Sequence, residues 1–205
     1  MDPRDRLKEI IKRQSFKYSQ KPVFSLASGT LNSFYFDCKK TTMDPEGAAL
    51  IGELIWQTIK PWKVSGIGGL TLGADPIAAA VMHVAWQEGQ RINQFVVRKG
   101  LKDHGEVKWI EGNVFPGDRV IVVDDVVTTG GSTIKAIEQA RKNELQISGV
   151  VVLIDRQEFQ GIENIKGQVD CPVVSLFCKE EFLDEAQYTQ TQESSHEKPD
   201  FAQAT

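Results

Sequence analysis

Residues 120–132 read VIVVDDVVTTGGS: four β-branched apolar residues lead into two adjacent carboxylates, then into small, hydroxyl-bearing residues with two glycines. A continuous apolar run of this kind is the pattern of a strand covered on both faces. Once ionised, Asp124 and Asp125 only accept hydrogen bonds, whereas Thr128, Thr129, Gly130, Gly131 and Ser132 bring hydroxyls and closely spaced backbone N–H groups. The acidic end therefore suits hydroxyls, and the glycine-containing end suits an anion.

Downstream of this stretch, Ile134, Ile137 and Ala140 fall on one side of a helix that begins near Ser132 and stops before Asn143. Further apolar runs, VSGI at 64–67, QFVV at 94–97, GVVVLI at 149–154 and PVVSL at 172–176, predict more buried strands. Helix signals lie between them. Asp44 is placed to cap and Pro45 to open a helix whose stripe is Ile51, Leu54, Ile55 and Ile59. Asp75 and Pro76 repeat that start signal ahead of IAAAVMHVAW, and Leu7, Ile10 and Ile11 predict a short amphipathic helix in the charged opening segment. Strands alternating with helices imply an α/β fold with a central, mostly parallel sheet flanked by helices. In such sheets ligands collect beyond the carboxyl ends of the strands, where the DDVVTTGGS segment is expected.

The length of 205 residues, 40% hydrophobic, is read as one domain over 1–183, followed by a polar tail, 184–205, without a usable apolar period and expected to be disordered. A net charge of −4 and a pI near 5.5 argue against a nucleic-acid footprint, so an anionic ligand must be met by local groups. Cys38, Cys171 and Cys178 form no CxxC pair and are expected as buried thiols in a reducing compartment. The opening MDPRDRLKEIIKRQ has no apolar signal core, and no apolar run is long enough to span a bilayer, which predicts a cytoplasmic protein. His83, inside an apolar helix, is expected to pack.

Two nucleotide-binding readings fail. The chain lacks GxxxxGK[ST], and GIGGLTLGA carries Thr71 at the last position that GxGxxG requires. What remains is a small-residue loop opening a helix, which converges N–H groups on a phosphate, beside two carboxylates able to hold vicinal hydroxyls. Together these describe a holder for a ribose 5-phosphate. The Gly68–Ala74 stretch would bring backbone close to an anion, although a simple strand-to-helix turn explains the same glycines.

VIVVDDVVTTGGS resembles the phosphoribosyl pyrophosphate (PRPP) signature of type I phosphoribosyltransferases at all of its defining positions. FSLASGTLNSFYFDCKKTTMDPEG, from Phe24, resembles the N-terminal region of the orotate phosphoribosyltransferases, and VRKGLKDHGEVKWIEG, from Val97, resembles their mobile catalytic loop. The resemblance covers about residues 24–182. It implies the type I fold with a small N-terminal hood, roughly 1–43, and a mobile catalytic loop. PRPP would be held by Arg98, Lys99, Lys102, His104, Asp124, Asp125, Val126, Val127, Thr128, Thr129, Gly130, Gly131 and Ser132. Arg98, Lys99, Lys102 and His104 would be catalytic, and Thr128, Arg156, Tyr35 and Phe36 would meet orotate. It further implies Mg²⁺ carried mainly by PRPP with no direct protein ligand, and a homodimer sharing the catalytic loop across subunits. Gly100 and Leu101 depart from the loop pattern, as does Ala27 before Ser28-Gly29.

The bland alternatives are a solvated basic loop for Arg98–His104, core packing for Tyr35 and Phe36, and a surface ion pair with Asp155 or Glu158 for Arg156. Rival functions are a PRPP-binding regulatory protein without turnover, and a purine phosphoribosyltransferase of the same fold. Because its charge sits among polar and glycine residues on a segment suited to a lid, Lys102→Ala is expected to lower turnover by about two orders of magnitude with little change in Tm. Steady-state kinetics beside thermal melting checks this, and equal turnover removes Lys102 from the mechanism.

Overall fold

The computed structural model describes residues 1–25, 31–100 and 109–183, so the proposed site residues Lys102 and His104, the Ala27-Ser28-Gly29 turn and the 184–205 tail lie outside the described residues. The chain opens with α1 (Pro3–Gln14), β1 (Phe16–Tyr18), β2 (Phe24–Ser25), β3 (Leu31–Asn32), β4 (Phe34–Phe36) and α2 (Lys39–Thr42). Next come α3 (Pro45–Ile59), β5 (Gly66–Leu70), α4 (Ala74–Gln87), β6 (Asn93–Val97) and β7 (Ile110–Gly112). β8 (Arg119–Val127), α5 (Gly131–Lys142), β9 (Gln146–Asp155), α6 (Gly161–Lys166) and β10 (Val173–Cys178) complete the body.

The six-stranded sheet has the order β10-β9-β8-β5-β6-β7, parallel throughout except for β7, which runs antiparallel to β6. Its central strands feed two cores by simple alternation. Ile121 and Val123 join the cluster under α3 and α4, while Val120 and Val122 join the cluster under α5. This is why VIVV carries no polar residue: both faces are covered.

The helix readings hold with two corrections. Asp44 caps α3 by accepting the Gly47 N–H at 2.9 Å, and Leu7, Ile10 and Ile11 are the buried stripe of α1. Asp75, however, does not cap. The helix starts at Ala74, two residues before Pro76, and the Asp75 carboxylate accepts the Thr71 hydroxyl at 2.6 Å, bracing the preceding turn. His83 is exposed on α4 rather than packed, because the apolar stripe of that helix runs through Ile77, Ala78, Val81 and Ala85. Of the three cysteines, only Cys38 is buried; Cys171 and Cys178 are half-buried.

Strand limits also differ from the hydropathy runs. VSGI at 64–67 becomes Gly66–Leu70, and β8 continues through the acid pair, since the ladder to β9 runs from Arg119 to Val127. A Cβ on Gly68 would collide with the Phe95 carbonyl, and one on Gly69 with the Val123 carbonyl. These glycines are a packing requirement of the parallel sheet.

The segment before α3 covers one end of the sheet. Phe16, Phe36, Phe177 and Phe182 form a ring cluster with centroid separations of 5.0–6.0 Å, which joins β1 and β4 to the far edge strand β10. Arg4 on α1 donates to both Glu181 oxygens and to the Leu176 carbonyl, and lies 4.5 Å from the centroid of the Phe177 ring. Gly68→Ala is expected to destabilise the domain by about 3 kcal/mol, from overpacking against backbone. Chemical denaturation measures it, and a parent-like midpoint would show that the sheet yields.

Candidate active site

Five segments converge at the carboxyl ends of the parallel strands: the hood at 35–39, the β5–α4 turn at 71–73, the end of β6 at 98–100, the β8–α5 segment and the β9–α6 segment. The β8–α5 segment is the anchor. Asp124, 5% exposed, points inward: its Oδ2 accepts the hydroxyls of Ser132 and Thr133 at 2.7 Å each, and Oδ1 accepts the Asp125 N–H at 3.0 Å. Both of its oxygens are thus committed to protein. Asp125 accepts the Val126 N–H through Oδ1 and lies against the β5–α4 turn, where a Gly73 Cβ would stand 2.5 Å from Oδ1. Val127 is buried and Val126 packs against the core, so they offer backbone only.

The loop Thr128–Gly130 is shaped by a left-handed Gly130, φ 82°, whose missing Cβ leaves room for the Gly161 carbonyl. The Thr129 hydroxyl accepts the Gly131 N–H at 3.4 Å, and the Thr129 carbonyl accepts from Asn164 Nδ2 at 3.0 Å. The segment after β9 leans on this loop. It holds Gln157, Phe159 and Gln160 at φ 53°, 48° and 55°, a conformation that costs about 1–3 kcal/mol per non-glycine residue. The Arg156 N–H donates to the Val127 carbonyl at 3.0 Å, which sets Arg156 beside Thr128.

Of the two ion pairs considered from sequence, Arg156 forms the one with Glu158, buried instead of at the surface, and not the one with Asp155. It is 5% exposed, stacks over Phe34 at 4.8 Å, and approaches Glu158 at 2.9 Å without hydrogen-bond geometry, while Asn32 Nδ2 holds the other Glu158 oxygen at 2.8 Å. Among the described residues its Nε and one Nη have no hydrogen-bond partner. Burial lowers its pKa from the usual guanidinium value, while Glu158 and Tyr35 work against that shift. Such a guanidinium is ready for a planar anion.

The aromatic pair divides. Phe36 is in the core, whereas Tyr35 is half-buried and stacks on Phe24 at 6.0 Å, as strand alternation requires. Arg98, Lys99 and Gly100 share a cavity of about 460 Å³ with Thr71 and Glu111. There Arg98 Nη1 lies 3.3 Å from Glu111 Oε1. Lys99 is exposed.

Lys39 was not singled out from sequence, because a cation after a short strand has no periodic signature. It pairs with Asp37 at 3.2 Å. Burial works against its charge, but the pairing with Asp37 and the charges of Asp125 and Tyr35 outweigh it and raise its pKa. Asp125 is pushed up by burial, with Lys39 opposing. Beside it, burial and the Asp125 charge hold the Cys38 thiol well above its usual range, so it is unreactive.

Burial, followed by the Asp125 charge, pushes Asp124 from 3.8 to about 6, against the pull of the Thr133 and Ser132 hydroxyls. The native state therefore holds a proton more tightly than the unfolded chain, and this group subtracts stability as pH rises from 3.8 through about 6. Asp124→Asn removes that loss. In ligand-free protein, the variant's Tm minus the parent's is expected to climb across this interval, as read by calorimetry in a series of buffers. A difference that stays flat would mean that Asp124 is ionised throughout.

No protein-family model matches the chain. Its sequence is 45% identical over 180 residues to the orotate phosphoribosyltransferase of Aquifex aeolicus, covering 88% of this chain and 97% of that protein. The crystal structure of Mycobacterium tuberculosis H37Rv orotate phosphoribosyltransferase in complex with Fe(III) dicitrate is similar at a TM-score of 0.76 and 34% identity, covering 88% of this chain and 98% of that one. The same enzyme in complex with PRPP is similar at a TM-score of 0.72 and 33% identity, over 88% and 98% of the two chains. With that similarity over nearly the whole length of these relatives, and with an inward acid, a left-handed glycine and a buried arginine at the strand ends, the chain belongs to the orotate phosphoribosyltransferases.

Proposed function

We propose that this site transfers the ribose 5-phosphate of PRPP to a ring nitrogen of orotate, releasing diphosphate and orotidine 5′-phosphate for de novo UMP synthesis. The observation that carries the orotate half is Arg156. A buried guanidinium, ion-paired with Glu158 on one Nη but with its Nε unbonded among the described residues, lies next to Thr128 and Tyr35 and fits a flat ring bearing a carboxylate. Tyr35 supplies an aromatic face.

The 5-phosphate is taken by the N–H groups and hydroxyls of Thr128, Thr129, Gly130, Gly131 and Ser132 at the start of α5. Asp125 meets the ribose hydroxyls, while Asp124 holds Ser132 and Thr133 in place and reaches the sugar by exchanging one of those bonds. Arg98, Lys99, Lys102 and His104 neutralise the diphosphate as it leaves, and exclusion of water by the covered site protects the oxocarbenium-like sugar. Lys39 lies near the acid pair and balances its charge.

For Mg²⁺, Asp125 is the fitting group, since among the described residues no hydrogen bond occupies its Oδ2, and a hard, water-retaining cation carried by PRPP needs only a water-mediated carboxylate. When bound, the cation screens charge on the diphosphate. The functional unit is a homodimer in the cytoplasm, with the loop bearing Lys102 and His104 serving the partner's site. Among the described residues no helix is long and apolar enough to cross a membrane.

Orotate absorbance, followed with PRPP and Mg²⁺, tests the reading. Loss of orotate is expected. Consumption of hypoxanthine or xanthine instead would make it a purine enzyme, and PRPP binding without turnover would make it a sensor. Arg156→Lys is expected to raise the orotate KM about tenfold, because an ammonium cannot present the paired donors, while the PRPP KM moves little. An unchanged orotate KM would take Arg156 out of the pocket.

A further inference from the structure

Lys135 lies on α5, one turn beyond the phosphate loop, and the reaction as derived gives it no task. Its ammonium donates to the Lys99 carbonyl at 2.9 Å and sits 5.5 Å from the centroid of the Trp109 ring. Lys99 and Trp109 stand on the two stems that lead into and out of residues 101–108. The Arg98 N–H also donates to the Trp109 carbonyl at 2.9 Å, continuing the antiparallel pairing of Val97 with Ile110. One side chain from α5 therefore grips both stems where they meet.

The other end of α5 is fixed with equal care. Ser132 and Thr133 are tied to Asp124, and Gly130 is wedged against Gly161, so the start of the helix cannot shift without disturbing β8 and α6. Lys135 supplies a direct hydrogen bond from this rigid unit to the backbone that carries Arg98 and Lys99. A lysine suits the task, because a compact charge with three donors serves a carbonyl and a ring face together.

We propose that Lys135 is a positioning residue, holding Arg98 and Lys99 in register with the phosphate loop by clamping the Lys99 carbonyl and the Trp109 ring. This rests on the phosphoribosyl-transfer reading above. Lys135 touches no reacting atom in that reading and acts through the two cations. A displacement of about 1 Å in groups that meet a leaving group lowers turnover by roughly a hundredfold. Losing the clamp is thus expected to lower kcat ten- to a hundredfold, leave both substrate KM values within about threefold, and leave Tm nearly unchanged at this partly exposed position.

The test uses full-length protein with Lys135→Ala and Lys135→Arg, measuring kcat, both KM values, Tm and the Trp109 emission identified by difference from Trp109→Phe. Support is a fall in kcat in the alanine variant, a shift in Trp109 emission relative to the parent, and recovery of both in the arginine variant. Parent-like kcat in Lys135→Ala overturns the proposal, whatever the Tm. A rise in PRPP KM without a fall in kcat also overturns it, since that marks a direct phosphate contact. An inactive parent is a different failure: it overturns the transfer reading and takes the clamp with it.

Discussion

One carboxylate fixes the geometry of this molecule's working end. Asp124 bonds to residues eight and nine positions later, joining the end of the central strand to the first turn of α5. Charge-assisted hydrogen bonds contribute about 1.5–3 kcal/mol each, whereas removing a carboxylate from water costs several kcal/mol even after relaxation. Burial and the neighbouring Asp125 charge push the Asp124 pKa up, and its hydroxyl bonds do not fully offset them. The loop is held rigid by a group that is itself under electrostatic tension. Such tension fits a site built to exchange protein hydroxyls for those of a ligand.

Rigidity on the loop side is matched on the hood side by different means. Besides the packing of α1 on α3, a cluster of phenylalanines and the Arg4–Glu181 pair lock the hood to β10. Aromatic rings bury much area with few rotatable bonds, so a short three-residue strand such as β4 can place Tyr35 on one side while Phe34 and Phe36 secure the other. Phe34 has a second task, because Arg156 and Lys179 lie over its ring at 4.8 and 5.1 Å. The arginine is thereby held beneath the hood.

The sheet, its flanking helices and the phosphate loop were legible because their signals are local: a buried apolar run, a helical stripe, small residues opening a helix. Strand ends were less so. Hydropathy ends at Val123, yet β8 keeps pairing to Val127, since the backbone ladder does not depend on side-chain polarity. Asp75 was misread as a cap because the same residue types that cap helices also brace turns, and only the position of Thr71 decides between them. His83 was misjudged because a helix with several alanines has a broad, shallow apolar face that does not define its exposed side. The nearness of Lys39 to Asp125, the burial of Arg156 and the double grip of Lys135 depend on tertiary neighbours far along the chain, and no spacing rule encodes them.

The Arg4 anchor has a consequence for the order in which the chain is made. Its partners, Leu176 and Glu181, follow it by 172 and 177 positions. On the ribosome, α1 is translated well before these partners, so the Arg4 guanidinium stays without these contacts until most of the body has emerged. The tie to β10 forms late, whereas the apolar stripe of α1 meets α2 and α3 as soon as they follow it in the chain. Until β10 is made, the α1 helix is held through its apolar face, and its Arg4 end stays open to solvent.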